Sequence, residues 1–383
     1  MMMMNNDDAL GILFPNSYDS LVPELVTERS MASIPFAGRY RICDFLISSM
    51  VHSGIANISL MVRKNYQSLM DHLGSGREWD LARKNGGLNI VPPYAQKSVK
   101  VYNGRIEALE SIRGFLQKCN ERYVIMADCN IAVNFDFRAL LQQHIASGAD
   151  VTMVYYKSPI PDALLNRVTD TSKDLYYTLD IDEDNRIKKI YINPSTEGET
   201  NYALNIYVLE RLKLLEMVEN AYIHGYTYFT RDVLAWHLDE YNVKAYCYDG
   251  YVAHFHDMKS YFDENMKLLQ EENLSALFSG NQIYTKIRDD NPTRYINGAS
   301  AHNILAADGC VIEGEVENSI LFRGVHIGKG AKVKNCVLMQ DTVVEAGASI
   351  EYVVTDKNVI ITEGKSLTGN DSFQVFVAKN QRV

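Results

Sequence analysis

The segment IGKGAKVKNCVLMQDTVVEAGASI, residues 327–350, decides the architecture of the C-terminal part of the chain. Its ends, IGKGAKV (327–333) and VEAGASI (344–350), share one template: an aliphatic residue, two free positions, Gly-Ala, one free position and a second aliphatic residue. VIEGEV (311–316) and NVIITEG (358–364) are looser copies, and Leu321, Ile327, Val333 and Met339 continue a six-residue step. An inward aliphatic residue at every sixth position suits a triangular parallel β-helix, in which each face supplies one. The two best copies are one residue out of phase with a strict six-residue register, which predicts a bulge or small loop between them. An antiparallel sandwich is the competing arrangement for short, turn-rich strands. A short β-helix leaves an end and flat faces open, so partner subunits are expected to cover them.

Upstream of these repeats, SGNQIYTKIRDDNPTRYINGAS (279–300) is polar and turn-rich and reads as a linker. It divides the chain into a first domain, 1–285, and a second, 286–383. Within the first, LGILF (10–14), ISLMV (58–62), YVIMA (123–127) and VTMVYY (151–156) are strand-like. Amphipathic stretches, such as Asp44 to His52 and Ile106 to Gln117, alternate with them. That rhythm predicts an α/β domain with a mostly parallel sheet. Ligands of such sheets bind beyond the carboxyl ends of the strands, which directs attention to the residues after Phe14 and after Ala127.

With 383 residues, two domains are the natural expectation. A formal charge of −10 argues against nucleic acid, whose recognition needs a basic face, and against an anionic membrane surface. No apolar run reaches the roughly 20 residues that span a bilayer. The opening MMMMNNDDAL lacks the pattern of a signal peptide and is expected to be a frayed end. Six cysteines, none in a C-x-x-C pair, fit small hydrophobic residues in a reducing cytoplasm rather than a zinc site or a disulfide frame.

Four stretches then carry a resemblance. PFAGRYRICDFLISSMVHSGI (35–55), HLGSGREWDLARKNGGLNIVPPY (72–94), NYALNIYVL (201–209) and GYVAHFHDMKSYFDENMKLL (250–269) stand in that order before the repeats. Together they resemble the glucose-1-phosphate adenylyltransferase family, from about Gly11 to about Gly364. The resemblance implies a Rossmann-like nucleotidyltransferase domain followed by a left-handed parallel β-helix. It also implies a reaction in which glucose 1-phosphate attacks the α-phosphate of ATP with magnesium and releases pyrophosphate. Such chemistry needs backbone amides around the triphosphate, carboxylates on the metal and a cation over the transferred phosphate.

This sequence departs from the family at each of those points. Active members follow the first strand with a G-G-x-G-x-R-L type of turn, but here no glycine occurs between Gly11 and Gly38. A phosphate-facing lysine falls on Met31, and a sugar-phosphate lysine on Asn193. The two metal carboxylates fall on Asn130 and His254, and Asp128 could act for the first if the strand ended differently. His254 and His256 alternate onto one strand face, either as a metal pair or as satisfied strand histidines. The resemblance is therefore to a non-catalytic regulatory subunit that modulates an active paralogous adenylyltransferase subunit. A homo- or hetero-tetramer is expected, with no cofactor on this chain and magnesium in the active partner. A weakly active enzyme using Asp128 and a rebuilt loop, or a free-standing sugar-phosphate sensor, are the alternatives.

The resemblance also implies an effector site. Arg29 and Arg41 match positions that help bind a phosphorylated sugar against the β-helix, and Arg39 lies between them. Guanidinium forks suit phosphate oxygens. The alternative is ordinary pairing with carboxylates such as Asp44 or Glu28. Gly86 and Gly87 are expected to keep a turn beside the nucleotide pocket, for backbone reasons or as a remnant of nucleotide contact.

Overall fold

The computed structural model describes residues 8–93, 102–165, 175–296 and 298–383. The oligo-Met opening lies outside them. The first domain is built on a nine-stranded sheet. Its strands are β1 (Ala9–Phe14), β2 (Asn57–Met61), β3 (Gly87–Val91), β4 (Tyr123–Asp128), β6 (Val151–Pro159), β7 (Tyr177–Ile181), β8 (Ile187–Ile192), β9 (Glu199–Glu210) and β10 (Val243–Cys247). The order is β8-β7-β9-β4-β1-β2-β3, with β6 between β9 and β10. β1 pairs in parallel with β2 and β4, and β9 runs antiparallel to β4 and β6. Two short strands, β5 (Ile131–Ala132) and β11 (Ala253–His254), form a separate antiparallel ribbon just beyond the end of β4.

The apolar runs noted in the sequence are continuous because both faces of the sheet are covered. Leu10, Ile12 and Phe14 of β1 enter one core with helix α3 (Arg211–Ile223), whereas Ala9 and Leu13 enter the other with α1 (Ile42–His52) and α2 (Phe137–Ser147). Among the described residues no helix is long and apolar enough to cross a membrane.

The second domain is a parallel β-helix of two parallel sheets, with strands from Arg294–Tyr295 to Val375–Val377. Its register corrects the expected bulge. Lys332 pairs with Ser349 and Ser349 with Ser366, while Val343 pairs with Ile360, so each of these coils has 17 residues. Two edges of six and one of five explain the offset: it is a property of every such coil and not a local defect. The inward ladders are Leu321–Leu338–Thr355, Ile327–Val344–Ile361 and Val333–Ile350–Leu367. After Val333 the inward residue is therefore Leu338, five positions on, and not Met339.

The corners stack residues with positive φ. Asn318, Asn335 and Tyr352 form one column, Gly324, Asp341 and Asn358 a second, and Gly330, Gly347 and Gly364 a third. Sharp turns in the left-handed backbone region are tolerated by glycine and, less readily, by asparagine and aspartate. Those residue types accordingly recur at the coil period, with Tyr352 the exception.

Met339 has another role. With Ile320, Phe322, Val337 and Val354 it faces outward and packs on Phe36, Ile42, Phe255 and Tyr261 of the first domain. One face of the β-helix is thus apolar on both sides, and a single hydrophobic core joins the two domains. At its edge the buried Arg29 donates through Nη2 to both carboxylate oxygens of Asp356, at 2.7 and 2.9 Å.

Candidate functional sites in two clefts

Two cavities are built from the features singled out above. The first, of about 900 Å³, opens where β1 and β4 end, between the chain after Phe14 and the segments around Arg63, Tyr102 and Tyr228. The loop after β1 is closed by side chains where active relatives are expected to use glycine. Asn16 donates to Asp19 (2.8 Å) and to the Lys64 carbonyl (2.9 Å), and accepts from the Arg63 amide (2.7 Å). Tyr18 takes a positive φ, donates to the Leu175 carbonyl and accepts from Asn205, both at 2.6 Å. Asp19 accepts from the Met31 amide, and its burial pushes its carboxyl up to about 6.

Asp128, at the end of β4, is occupied. Ser17 Oγ donates to its Oδ1 at 2.6 Å and Arg105 Nη2 at 2.5 Å. Arg105 is in turn held against the faces of Phe14 and Tyr207, 4.5 and 5.2 Å from the ring centroids.

The two positions that the resemblance matches to metal carboxylates meet in space. Asn130 Nδ2 lies 2.9 Å from His254 Nε2, the ring lies 4.0 Å from that of His256 at a tilt of 48°, and both histidines are buried. Burial holds both imidazoles neutral, His254 well below the ordinary range and His256 at about 4. An asparagine amide can only donate to an unprotonated Nε2, so Nδ1 of His254 carries the proton and faces Tyr156 Oη at 3.2 Å. Both nitrogens of His254 are therefore engaged. Magnesium requires hard oxygen ligands in near-octahedral array. An amide, a neutral imidazole and a carboxylate held by an arginine do not fit it.

Met31 is fully buried in the interdomain core. Asn193 lines neither cleft: its amide donates to the Tyr176 carbonyl and its Oδ1 accepts from the Tyr176 amide, each at 3.0 Å, closing the β7–β8 pair. Gly86 and Gly87 have φ of 74° and 80° and line neither cleft. The Gly87 amide donates to the Ala56 carbonyl, and a Cβ on Gly87 would collide with the Leu81 carbonyl oxygen. Trp79 of the W-D-L block is buried and donates to Ser48 Oγ, so this block locks the entrance to β3 onto α1.

The second cavity, of about 500 Å³, lies between the domains and is strongly basic. Arg39 and Arg41 enter from the first domain, Lys286 and Arg288 from the connecting segment, and Arg323, Lys357 and Lys379 from the β-helix. Against these seven cations the lining has two carboxylates, Glu28 and Asp71. Arg41 is fixed by the Ser33 carbonyl and Ser68 Oγ, and Arg39 faces Asp308 at 3.4 Å. Lys357 is brought down to about 7 by burial and by the neighbouring Arg41 and Arg29 charges.

Arg29 does not line this cavity but stands behind it on Asp356, and its buried Nη1 has no hydrogen-bond partner among the described residues. The local carboxylates considered for these arginines are engaged elsewhere: Asp44 with His72 and the Arg41 amide, Glu28 with Lys379. Cys43, Asp44 and His72 lie close enough to suggest a metal, yet both oxygens of Asp44 already hold those hydrogen bonds. The sequence did not reveal Arg105, Arg323 or Lys357. No motif contains them, and only the fold brings them to these cavities.

The nucleotidyl transferase family model matches residues 22–271, and the GlmU-like C-terminal hexapeptide model matches 287–374. "Glycogen biosynthesis protein GlgD" of Bacillus subtilis (strain 168) is 33% identical over 368 residues, 96% of this chain and 94% of the relative. The protein of the same name from Geobacillus stearothermophilus is 33% identical over 86% of this chain and 83% of its own length. "Glucose-1-phosphate adenylyltransferase" of Geobacillus stearothermophilus is 32% identical over 85% and 83%. On this coverage and on its two-domain fold, the chain belongs to the nucleotidyltransferase family that includes GlgD and glucose-1-phosphate adenylyltransferase.

Proposed function

We propose that this chain is a regulatory, catalytically deficient subunit of glucose-1-phosphate adenylyltransferase in glycogen biosynthesis. It works in the cytoplasm, in a tetramer with an active paralogous subunit that carries the magnesium. The observation that carries this reading is the Asn130–His254 hydrogen bond, which puts two neutral, mutually satisfied groups where the family's metal carboxylates align. The side-chain closure of the loop after Phe14 and the burial of Met31 support it, because each removes a donor from the phosphate path. Electrostatic stabilisation of the transferring phosphate is a leading contribution to such catalysis, and one well-placed donor is worth about 100- to 1000-fold. In this reading the basic interdomain cleft receives a phosphorylated sugar, with Arg39, Arg41 and Lys357 as its ligands. The test is formation of ADP-glucose from ATP and glucose 1-phosphate by the purified chain, by the active paralogue and by their mixture. The chain alone is expected to be inactive and to change the rate or effector response of the paralogue. Turnover alone at the level of the paralogue, or a mixture that behaves as the paralogue alone, refutes the proposal.

A further inference from the structure

The charge arrangement of the larger cleft points to a use other than catalysis. Arg105 reaches Asp128 through Nη2 and is held between the Phe14 and Tyr207 rings, with its side chain 14% exposed. Arg231, also in the lining, is paired with Asp232 behind it at 2.5 Å. The remaining carboxylate in the lining, Asp19, is buried and already accepts hydrogen bonds from Asn16 and the Met31 amide. Arg63 and Lys64 also line the cavity; their charges act on Asp19 and together outnumber it. In a protein of net charge −10, a cavity of about 900 Å³ with a surplus of cations and aromatic walls favours an organic anion.

We propose that this cleft binds a nucleoside phosphate without a divalent cation, the Arg105 guanidinium on Asp128 supplying the positive charge that a metal supplies to a carboxylate-lined cleft. This goes beyond the proposed function but rests on its reading that the metal carboxylates are replaced. A carboxylate-lined pocket needs the metal as a bridge, because phosphate and carboxylate repel. Here Asp128 is already neutralised, so magnesium has nothing to bridge. Bound to the nucleotide, it lowers the anion's charge and its attraction to Arg63 and Lys64. Magnesium therefore competes with binding instead of enabling it.

The test is calorimetric titration of the purified full chain with ATP, once in EDTA and once in excess magnesium, with ADP-glucose formation followed in the same preparation. Binding in EDTA is expected to be at least as tight as in magnesium. Arg63→Ala with Lys64→Ala is expected to weaken it tenfold or more. Arg105→Ala alone leaves Asp128 buried and unpaired and can fail to fold, so Arg105→Ala with Asp128→Asn is its companion. A folded double variant is expected to lose ATP affinity in EDTA by tenfold or more. Absence of ATP binding in EDTA, or binding that requires magnesium, overturns the inference. Unchanged affinity in either double variant overturns it too. If magnesium-dependent binding is accompanied by ADP-glucose formation, the proposed function falls with it; without product, only this inference falls.

Discussion

Replacing Asp356 with alanine should destabilise the protein by about 4 kcal/mol, more than most single substitutions. Its partner Arg29 comes from the first domain, and the two side chains are 3% and 8% exposed. Removing one member of a buried pair costs about 3–5 kcal/mol, chiefly because the other charge is left without water or partner. Among the described residues Arg29 Nη1 is already unpartnered, and Arg41 and Lys357 add positive charge nearby. Asp356 Oδ1 also accepts from the Lys357 amide at 2.7 Å, a bond worth about 1 kcal/mol. Removing both charges, as Arg29→Met with Asp356→Leu, should cost no more than about 1 kcal/mol, since apolar replacement of a buried pair is often neutral. The cycle of Arg29→Met, Asp356→Leu and the double variant should therefore show a coupling of at least about 2 kcal/mol. Urea unfolding followed by circular dichroism measures it. A loss below about 1 kcal/mol for Asp356→Ala, or a double variant as unstable as the sum of the singles, would refute the reasoning.

Three further outcomes are expected. Asn130→Asp with His254→Asp restores two carboxylates but should leave ADP-glucose formation undetectable, because Asp128 stays on Arg105 and the loop after Phe14 offers no amide cradle; turnover at family level in that variant would contradict this. Lys357, at about 7 in the folded chain against an ordinary 10.5, is largely neutral at pH 8.5. Phosphate entering the basic cleft should draw close to one proton at that pH and almost none at pH 6, read from the dependence of binding heat on buffer ionisation enthalpy. The sign for stability follows from the same shift. The unfolded chain binds more protons between pH 7 and 10.5, so this group's contribution to stability rises with pH across that window and is flat below it. Finally, Gly87→Ala should cost about 2 kcal/mol or more in thermal or urea unfolding, since φ is +80° and the new Cβ meets the Leu81 carbonyl.

Much of this protein was legible from its residues alone. The βαβ rhythm before residue 280 and the aliphatic step after 310 placed a parallel-sheet domain and a β-helix, because both signals come from periodic burial that neighbouring residues report. That Asn130 and His254 lie 2.9 Å apart was not legible from residues so distant in the chain; only the β5–β11 ribbon brings them together. The 17-residue coil was visible only as an offset between two repeats. Placing Leu338 inward and Met339 against the first domain required the strand register, since a strand turns alternate residues to opposite sides and one deletion per coil inverts that choice.

The charges divide differently. The sequence by itself determined that no glycine stands between Gly11 and Gly38, because the absence of a residue type needs no partner to be read. It could not determine where the remaining charges go. Arg29, Arg39 and Arg41 are neighbours in the chain, yet one is spent across 327 residues on Asp356 while the other two face a cavity completed by Arg323, Lys357 and Lys379. Arg105 likewise finds Asp128 only when helix and strand are brought side by side. Ion pairing depends on distance and on exclusion of water, both properties of the packed chain, so the tertiary structure alone decided which arginines are structural and which remain available to an anion.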